Sequence, residues 1–378
     1  MPSPAPVNLN VRRRLLPGLL AACATPALRL FLPPLRRRAH PGAPIYVFSS
    51  YMVGDLYMAL PALTGFAAQL GPAVDFRVLC RPDCVEIVTR AGLQAVPFDN
   101  AFFTRRTPNG LLRTLRAAWA LRALPAGTAL DLDADPRSAL WLRIAGCTQV
   151  VSYRRPFSGL FDATFALPGN PVHQADRDRA VVEEFLRIYR GEFQTPQSVA
   201  REPAPGPRLS PELNRPGAGT DTSAPNLLRH DSPWILSVWT RKAAKNWPLD
   251  RWDGLMEELI EEGVPIAVLH APDGDSAYQL FRARWEDRVP FVAGSLEAID
   301  EGVQKCAGVI ATDNFLGHMA GYHGKPVVWI NVVSPAEQVE PRGPHTVRVG
   351  EGSPQRPETP TVEAVVQAFK ALRVPASQ

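Results

Sequence analysis

The sequence predicts an α/β protein of two domains with parallel sheets, and three features point that way. Short apolar or β-branched runs alternate with helix-length stretches from residue 44 onward, and strand–helix alternation of this kind produces parallel sheets. The alternation lapses over residues 196–233, which are rich in Pro, Gly, Ser and Thr, and then resumes, as it does on either side of a linker. Each series also contains a strand that delivers a carboxylate to a helix start. Ile45 to Ser50 leads through Tyr51-Met52-Val53-Gly54 to Asp55, and Gly308 to Thr312 leads to Asp313, Asn314 and, one turn along, His318. Ligands of parallel α/β sheets bind just outside the carboxyl ends of strands, where helix N-termini expose unpaired N–H groups. Two such ends predict two half-sites facing one central cleft.

In the first series, strands are expected at Ile45 to Ser50, Asp75 to Cys80, Thr128 to Asp133 and Gln149 to Tyr153. The helices are Leu56 to Leu70, Leu111 to Leu124 and Arg137 to Ala145, with the amphipathic stretch Asp176 to Tyr189 closing the half. The second series runs Trp234 to Trp239, Trp252 to Glu262, Pro265 to His270, Ser276 to Trp285, Leu296 to Cys306, Val309 to Thr312 and Val327 to Val332. A last helix, Val362 to Leu372, can pack on either domain. Single cores stop growing near ~250 residues, so 378 residues divide into a segment 1–43, a domain 44–195, the linker 196–233, a domain 234–350 and a tail 351–378.

The net charge of +4 is unevenly placed. Residues 1–40 hold seven arginines (Arg12, Arg13, Arg14, Arg29, Arg36, Arg37, Arg38) and no acid, which leaves −3 for the remainder. A folded part without a basic surplus gives no support to nucleic-acid binding. Between the arginine triplets, Leu15 to Leu35 is mostly apolar but is broken by Arg29 and four prolines. That pattern argues against a spanning helix, and no small-residue cleavage site follows as in a signal peptide. It fits an interfacial segment on an anionic membrane face, the plainer alternative being a basic leader without such contact. Five cysteines with no C-x-x-C pair form neither a disulfide framework nor a zinc site. A reducing cytoplasm fits.

The motifs resemble those of glycosyltransferase family nine, the ADP-heptose lipopolysaccharide heptosyltransferases. Ser49 to Asp55 followed by Ala59-Leu60-Pro61-Ala62-Leu63 resembles the family's opening strand, Gly-Asp and Leu-Pro-Ala helix. Lys245-Asn246-Trp247-Pro248 resembles its Lys-x-Trp-Pro segment, and Asp313 to His318 with Gly324-Lys325-Pro326-Val327-Val328 resembles its Asp-Ser/Thr-Gly-x-x-His block and following strand. Weaker similarities lie at Arg137 to Leu140, Arg155-Pro156 and His173 to Arg177. The resemblance covers about residues 44 to 350. It implies the GT-B architecture of two Rossmann-like domains with parallel sheets facing a central cleft, a nucleotide-sugar donor held mainly by the C-terminal domain, a lipid-linked or oligosaccharide acceptor held by the N-terminal one, and neither metal nor other cofactor. ADP-heptose would be the donor, and the inner face of the bacterial inner membrane the place of work. Phe315 and Asn314 depart from the family's glycine and Ser/Thr, which makes close backbone approach to a phosphate harder; Trp239 stands beside Thr240 where a small residue is usual.

Under that resemblance Asp55 is the candidate general base, since inverting transfer needs a group to take the acceptor hydroxyl proton. A positive helix end would keep it ionised; the plain alternative is an N-cap. Thr240 and Lys245, with Arg241 and Lys242 as competitors, would meet the charge on a departing diphosphate, unless they form an ordinary solvated loop. Asp313, Asn314 and His318 complete the donor set: Asn314 for phosphate, Asp313 as a helix cap or sugar contact, His318 for the same ligand. Asp273 and Asp275 are candidates for a donor ribose. A rival reading makes Asp131, Asp133 and Asp135 a divalent-metal site of a metal-dependent transferase or phosphatase. Another makes the chain a non-catalytic nucleotide- or glycan-binding homologue.

Overall fold

Within the residues described by the computed structural model (43–99, 107–155, 158–169, 171–189 and 232–373), the apolar runs become the inner strands of two sheets. The first holds β1 (Ile45–Phe48), β2 (Phe76–Cys80), β3 (Gln94–Pro97), β4 (Thr128–Asp131), β5 (Gln149–Tyr153) and β6 (Ala163–Phe165), in the order β3-β2-β1-β4-β5-β6. The second holds β7 (Trp234–Ser237), β8 (Ile266–Leu269), β9 (Phe291–Val292), β10 (Gly308–Thr312), β11 (Val327–Ile330) and β12 (Thr346–Val349), in the order β12-β11-β10-β7-β8-β9. Every pairing is parallel. Each sheet therefore follows the Rossmann order, with the strand order reversing beside its first strand.

Between the strands lie α1 (Val53–Leu70), α2 (Val85–Arg90), α3 (Pro108–Ala120), α4 (Pro136–Ile144) and α5 (Gln174–Tyr189) in the first half. The second half has α6 (Leu249–Glu261), α7 (Ser276–Trp285), α8 (Leu296–Lys305), α9 (Phe315–Tyr322), α10 (Ala336–Val339) and α11 (Val362–Arg373). Local chemistry sets their starts: Thr107, Asp135, Asp275, Ser295 and Asn314 each accept a backbone N–H as N-cap. Strand β1 is buried throughout, as are β7, β8, β10 and β11, which is why they read as continuous apolar runs.

Contacts divide the chain into two units, one formed by the described residues of 1–50, 62–171 and 177–199, the other by those of 51–61, 172–176 and 200–378. The start of α1, up to Pro61, thus packs with the second unit. So does Val172–Asp176, through His173 Nε2 bonded to the Glu340 carbonyl at 2.9 Å and Arg342 paired with Asp176 at 2.9 Å. Phe48, Phe98, Ala139, Trp141 and Leu142 build the first unit's core. In the second, Trp247 and Trp252 meet edge to face at 5.1 Å, and Trp247 Nε1 donates to the Pro360 carbonyl at 2.8 Å. The helix α11, whose placement the sequence left open, packs here through Phe369 on Trp234, 4.8 Å between ring centres.

Residues 1–42 and most of 196–233, on which the interfacial-segment and linker expectations fall, lie outside the described residues. No described helix is long and apolar enough to cross a membrane.

Candidate active site

The Gly54-Asp55 pair opens α1 in a way its chemistry explains. Asp55 is the third helical residue, and its Oδ2 accepts the Met52 N–H at 3.2 Å. It is therefore not the N-cap but the residue that reaches back from the first turn, as in the second half of a capping box. Gly54 allows the turn to lie against α9: a Cβ there would fall 2.9 Å from His318 Cδ2 and 3.2 Å from Phe315 Cα. Phe315 in place of the family glycine thus meets the first turn of α1 directly, with Gly54 providing the space.

At the end of β10, Asn314 rather than Asp313 caps the helix, its Oδ1 accepting the Leu316 N–H at 3.0 Å. Its Nδ2 donates to Ser237 Oγ at 2.8 Å, tying β10 to the end of β7. Asn314 in this state is a structural clamp rather than a free phosphate donor. Asp313 is buried and forms an ion pair with Lys245, while Ser334 Oγ donates to the same carboxylate oxygen. Ser334 is in turn fixed by its N–H to Asn331 Oδ1 at 2.9 Å, and Asn331 Nδ2 donates to the Gly352 carbonyl at 2.9 Å.

The loop that carries Lys245 is closed by Asn246, which accepts the Thr240 N–H at 2.6 Å and donates to the Thr240 carbonyl at 3.1 Å. Thr240 Oγ1 donates to the Lys242 carbonyl at 3.1 Å. Arg241 turns away to Asp273, 2.5 Å in an exposed pair, and Asp275 caps α7 by accepting the Tyr278 N–H at 2.9 Å. The last two acids, expected near a ribose, are thus engaged with a loop arginine and a helix end.

These placements set the electrostatics. Burial raises the Asp55 carboxyl above the ordinary aspartate value; the Met52 N–H opposes this, nearby Asp313 adds to it, and Lys242 and Lys245 offset part of it. The helix end expected to favour the ionised form is thus opposed by burial, which raises the carboxyl's affinity for a proton. A carboxyl shifted toward neutrality is a stronger proton acceptor once ionised. His318 is buried with Nδ1 lacking a partner. Burial pushes it down to about 4 against the pull of Asp313, so its ring is neutral at pH 7.

Sequence reasoning missed a second anchor on this helix. Tyr57, one turn from Gly54, donates its OH to Asp300, which also accepts from Gln304 Nε2 at 2.8 Å and pairs with His323 Nε2 at 2.7 Å. Burial alone would raise the Asp300 carboxyl; the bonds from His323 and Tyr57 overcome it and hold the group below its usual range. Asp300 sits on the inward face of an amphipathic helix, three residues before buried Val303, and an acid at such a position was the available signal. Asn246, Asn331, Ser237 and Ser334 left none, since single polar residues near strand ends are commonplace.

The acids at the end of β4 are consumed locally. Asp131 is buried, accepts from Ser138 Oγ at 2.5 Å and from the Asp133 N–H at 3.0 Å, and is pushed well above the carboxylate range by burial and by Asp133. Asp133 accepts the Ser50 N–H at 2.6 Å, and Asp135 caps α4 and pairs with Arg137. Among the described residues no cluster of three or more His, Cys, Asp or Glu is arranged to hold a metal ion.

The sequence profile of glycosyltransferase family 9 (heptosyltransferase) matches residues 114–367. The chain belongs to this family. Its members' fold is also evident in solved structures. The E. coli heptosyltransferase WaaC with ADP superposes with a TM-score of 0.64 at 16% identity, over 87% of this chain and 99% of that one. The E. coli ADP-heptose LPS heptosyltransferase II gives 0.63 at 18% identity, over 87% and 98%. A family 9 glycosyltransferase from Veillonella parvula gives 0.64 at 14% identity, over 89% and 98%. No protein of curated function matches the chain in sequence. The fold is that of the GT-B glycosyltransferases, and this family 9 chain is a glycosyltransferase of heptosyltransferase type.

Proposed function

We propose that this family 9 enzyme is an inverting, metal-independent transferase that moves a sugar from a nucleotide donor, ADP-heptose foremost, to a lipopolysaccharide core or related lipid-linked glycan. The observation that carries the reading is the Asp55 carboxyl, raised by burial and within the field of Asp313, Lys242 and Lys245. In the step proposed, the acceptor oxygen attacks the anomeric carbon while its proton passes to Asp55. The bond from that carbon to the diphosphate oxygen breaks, and the nucleoside diphosphate leaves with the bonding pair. Attack opposite the leaving group inverts the centre.

The leaving group's charge would be met by Lys242, which is exposed, by Lys245 from its pair with Asp313, and by the N–H groups at the start of α9. Thr240 and Asn314 support this by holding the loop and the helix cap, and neutral His318 by filling the space between α9 and Gly54. The donor assignment draws on the family and on the ADP bound to WaaC. The basic apolar residues 1–40 support peripheral attachment to an anionic membrane face, where a lipid-linked acceptor would be met.

Titration with ADP, UDP and GDP, followed by transfer assays with ADP-heptose and a core-oligosaccharide acceptor, tests the reading. Tight ADP binding with turnover is expected. ADP binding without turnover on any glycan acceptor would favour a binding homologue, and preference for another nucleotide would change the donor.

A further inference from the structure

Helix α3 belongs to the first unit and shows two unlike faces. Thr107 caps it by accepting the Gly110 N–H at 3.1 Å, and Pro108 begins it. Gly110, Thr114 and Ala118 are buried along one side, Ala118 in the core with Ala139, Trp141 and Leu142. On the other side Leu111, Leu112, Leu115 and Trp119 are 43%, 45%, 40% and 61% exposed. At 3.6 residues per turn these four fall within an arc of roughly 100°. Exposed large apolar groups are ordinary when scattered; a continuous stripe is not.

Arg116, about 40° beyond Leu112 around the helix, borders the stripe, and two further arginines lie near it. Arg116 is exposed, Arg113 pairs with Asp99 at 2.6 Å, and the Arg122 guanidinium lies over the Trp119 ring at 5.2 Å while donating to the Ile144 carbonyl at 3.0 Å. No acid occurs from residue 107 to 130. Removing the seven arginines of residues 1–40 and these three leaves a net charge of −6 for the rest of the chain. The stretch that exposes leucines and a tryptophan is thus net positive because its three arginines have no acid beside them in sequence.

We propose that this face of α3 docks on the surface of an anionic phospholipid bilayer. Leucines and a tryptophan on one arc enter the boundary between headgroups and acyl chains, and arginines at the margin meet lipid phosphates. An uncharged apolar partner would offer exposed Arg116 no counter-charge, whereas an anionic surface does. The contact is additional to any made by residues 1–40, and it stands whether or not the donor is ADP-heptose.

The test is co-sedimentation of the full chain with vesicles of phosphatidylcholine alone or mixed with phosphatidylglycerol. Leu112→Ser with Trp119→Ser removes side chains that are already largely exposed, so the melting temperature should hold while affinity for mixed vesicles falls on the order of tenfold. Arg116→Glu should lower affinity for mixed vesicles by roughly tenfold and leave phosphatidylcholine binding unchanged. Nucleotide affinity should be unaltered in both. Wild-type vesicle binding by both variants would overturn the proposal, as would a wild-type dimer in sedimentation equilibrium that the Leu112→Ser, Trp119→Ser variant dissociates, since a second copy would then occupy the face.

Discussion

Gly54→Ala should separate activity from stability. The added Cβ would lie 2.9 Å from His318 Cδ2 and 3.2 Å from Phe315 Cα, whereas ordinary contact begins about half an ångström farther out for the nearer atom. One neighbour is backbone and the other a buried ring, so the start of α1 must move by roughly 0.5 Å. Overpacking of this size costs about 1–3 kcal/mol, but alanine in a helix regains up to ~1 kcal/mol over glycine. Net destabilisation should therefore be about 2 kcal/mol or less. Catalysis has no such offset: Asp55, the proposed base, is the next residue, and misplacing a catalytic group by ~1 Å can cost about 100-fold, so half of that should lower kcat by roughly tenfold. Urea unfolding and steady-state kinetics on the same preparation check both quantities. A variant with wild-type kcat would refute the idea that Gly54 exists to set the position of Asp55.

Lys245→Ala should weaken nucleotide binding and destabilise the protein by about 2 kcal/mol, below the 3–5 kcal/mol of a fully buried pair because the lysine side chain is 24% exposed; isothermal titration and urea unfolding measure these. Tyr57→Phe should cost about 1.5–3 kcal/mol by removing a donor from the buried Asp300 carboxylate, and it should also lower kcat more than it raises KM if the bond positions α1. The Asp55 carboxyl is shifted up, so kcat/KM should fall with decreasing pH along a limb above the ordinary aspartate value. His318 is held neutral, so protonation from about pH 6.5 down to about 4 destabilises the native state, and His318→Gln should remove that part of the pH dependence. EDTA should leave transfer unchanged; activity lost in EDTA and restored by Mg²⁺ or Mn²⁺ would return attention to Asp131, Asp133 and Asp135.

The four strands that sequence periodicity did not reveal are β3, β6, β9 and β12, and these are the two edges of each sheet. Edge strands are covered on fewer sides: β3 and β9 contain no buried residue, and β6 and β12 contain one each at their ends. They therefore lack the unbroken apolar runs that mark β1, β7 and β10. The strand-end acids were legible for the opposite reason, because Asp55 and Asp313 each follow a fully buried run at a helix start. Their partners were not. The contacts of Asp313 with Lys245 and of Tyr57 with Asp300 join residues 68 and 243 positions apart, and no local pattern encodes such a meeting. Asn314 as cap was open to sequence reasoning, since asparagine is a preferred N-cap; its expected phosphate role drew attention from that plainer one.

The central claim is that Asp55 accepts the acceptor's proton, and Asp55→Asn tests it most directly. The amide keeps an oxygen for the Met52 N–H but cannot take the proton, so ADP affinity should stay within about threefold of wild type while kcat falls by at least ~100-fold, the scale of general-base catalysis. Turnover by Asp55→Asn within a few-fold of wild type, at unchanged nucleotide affinity, would contradict the account.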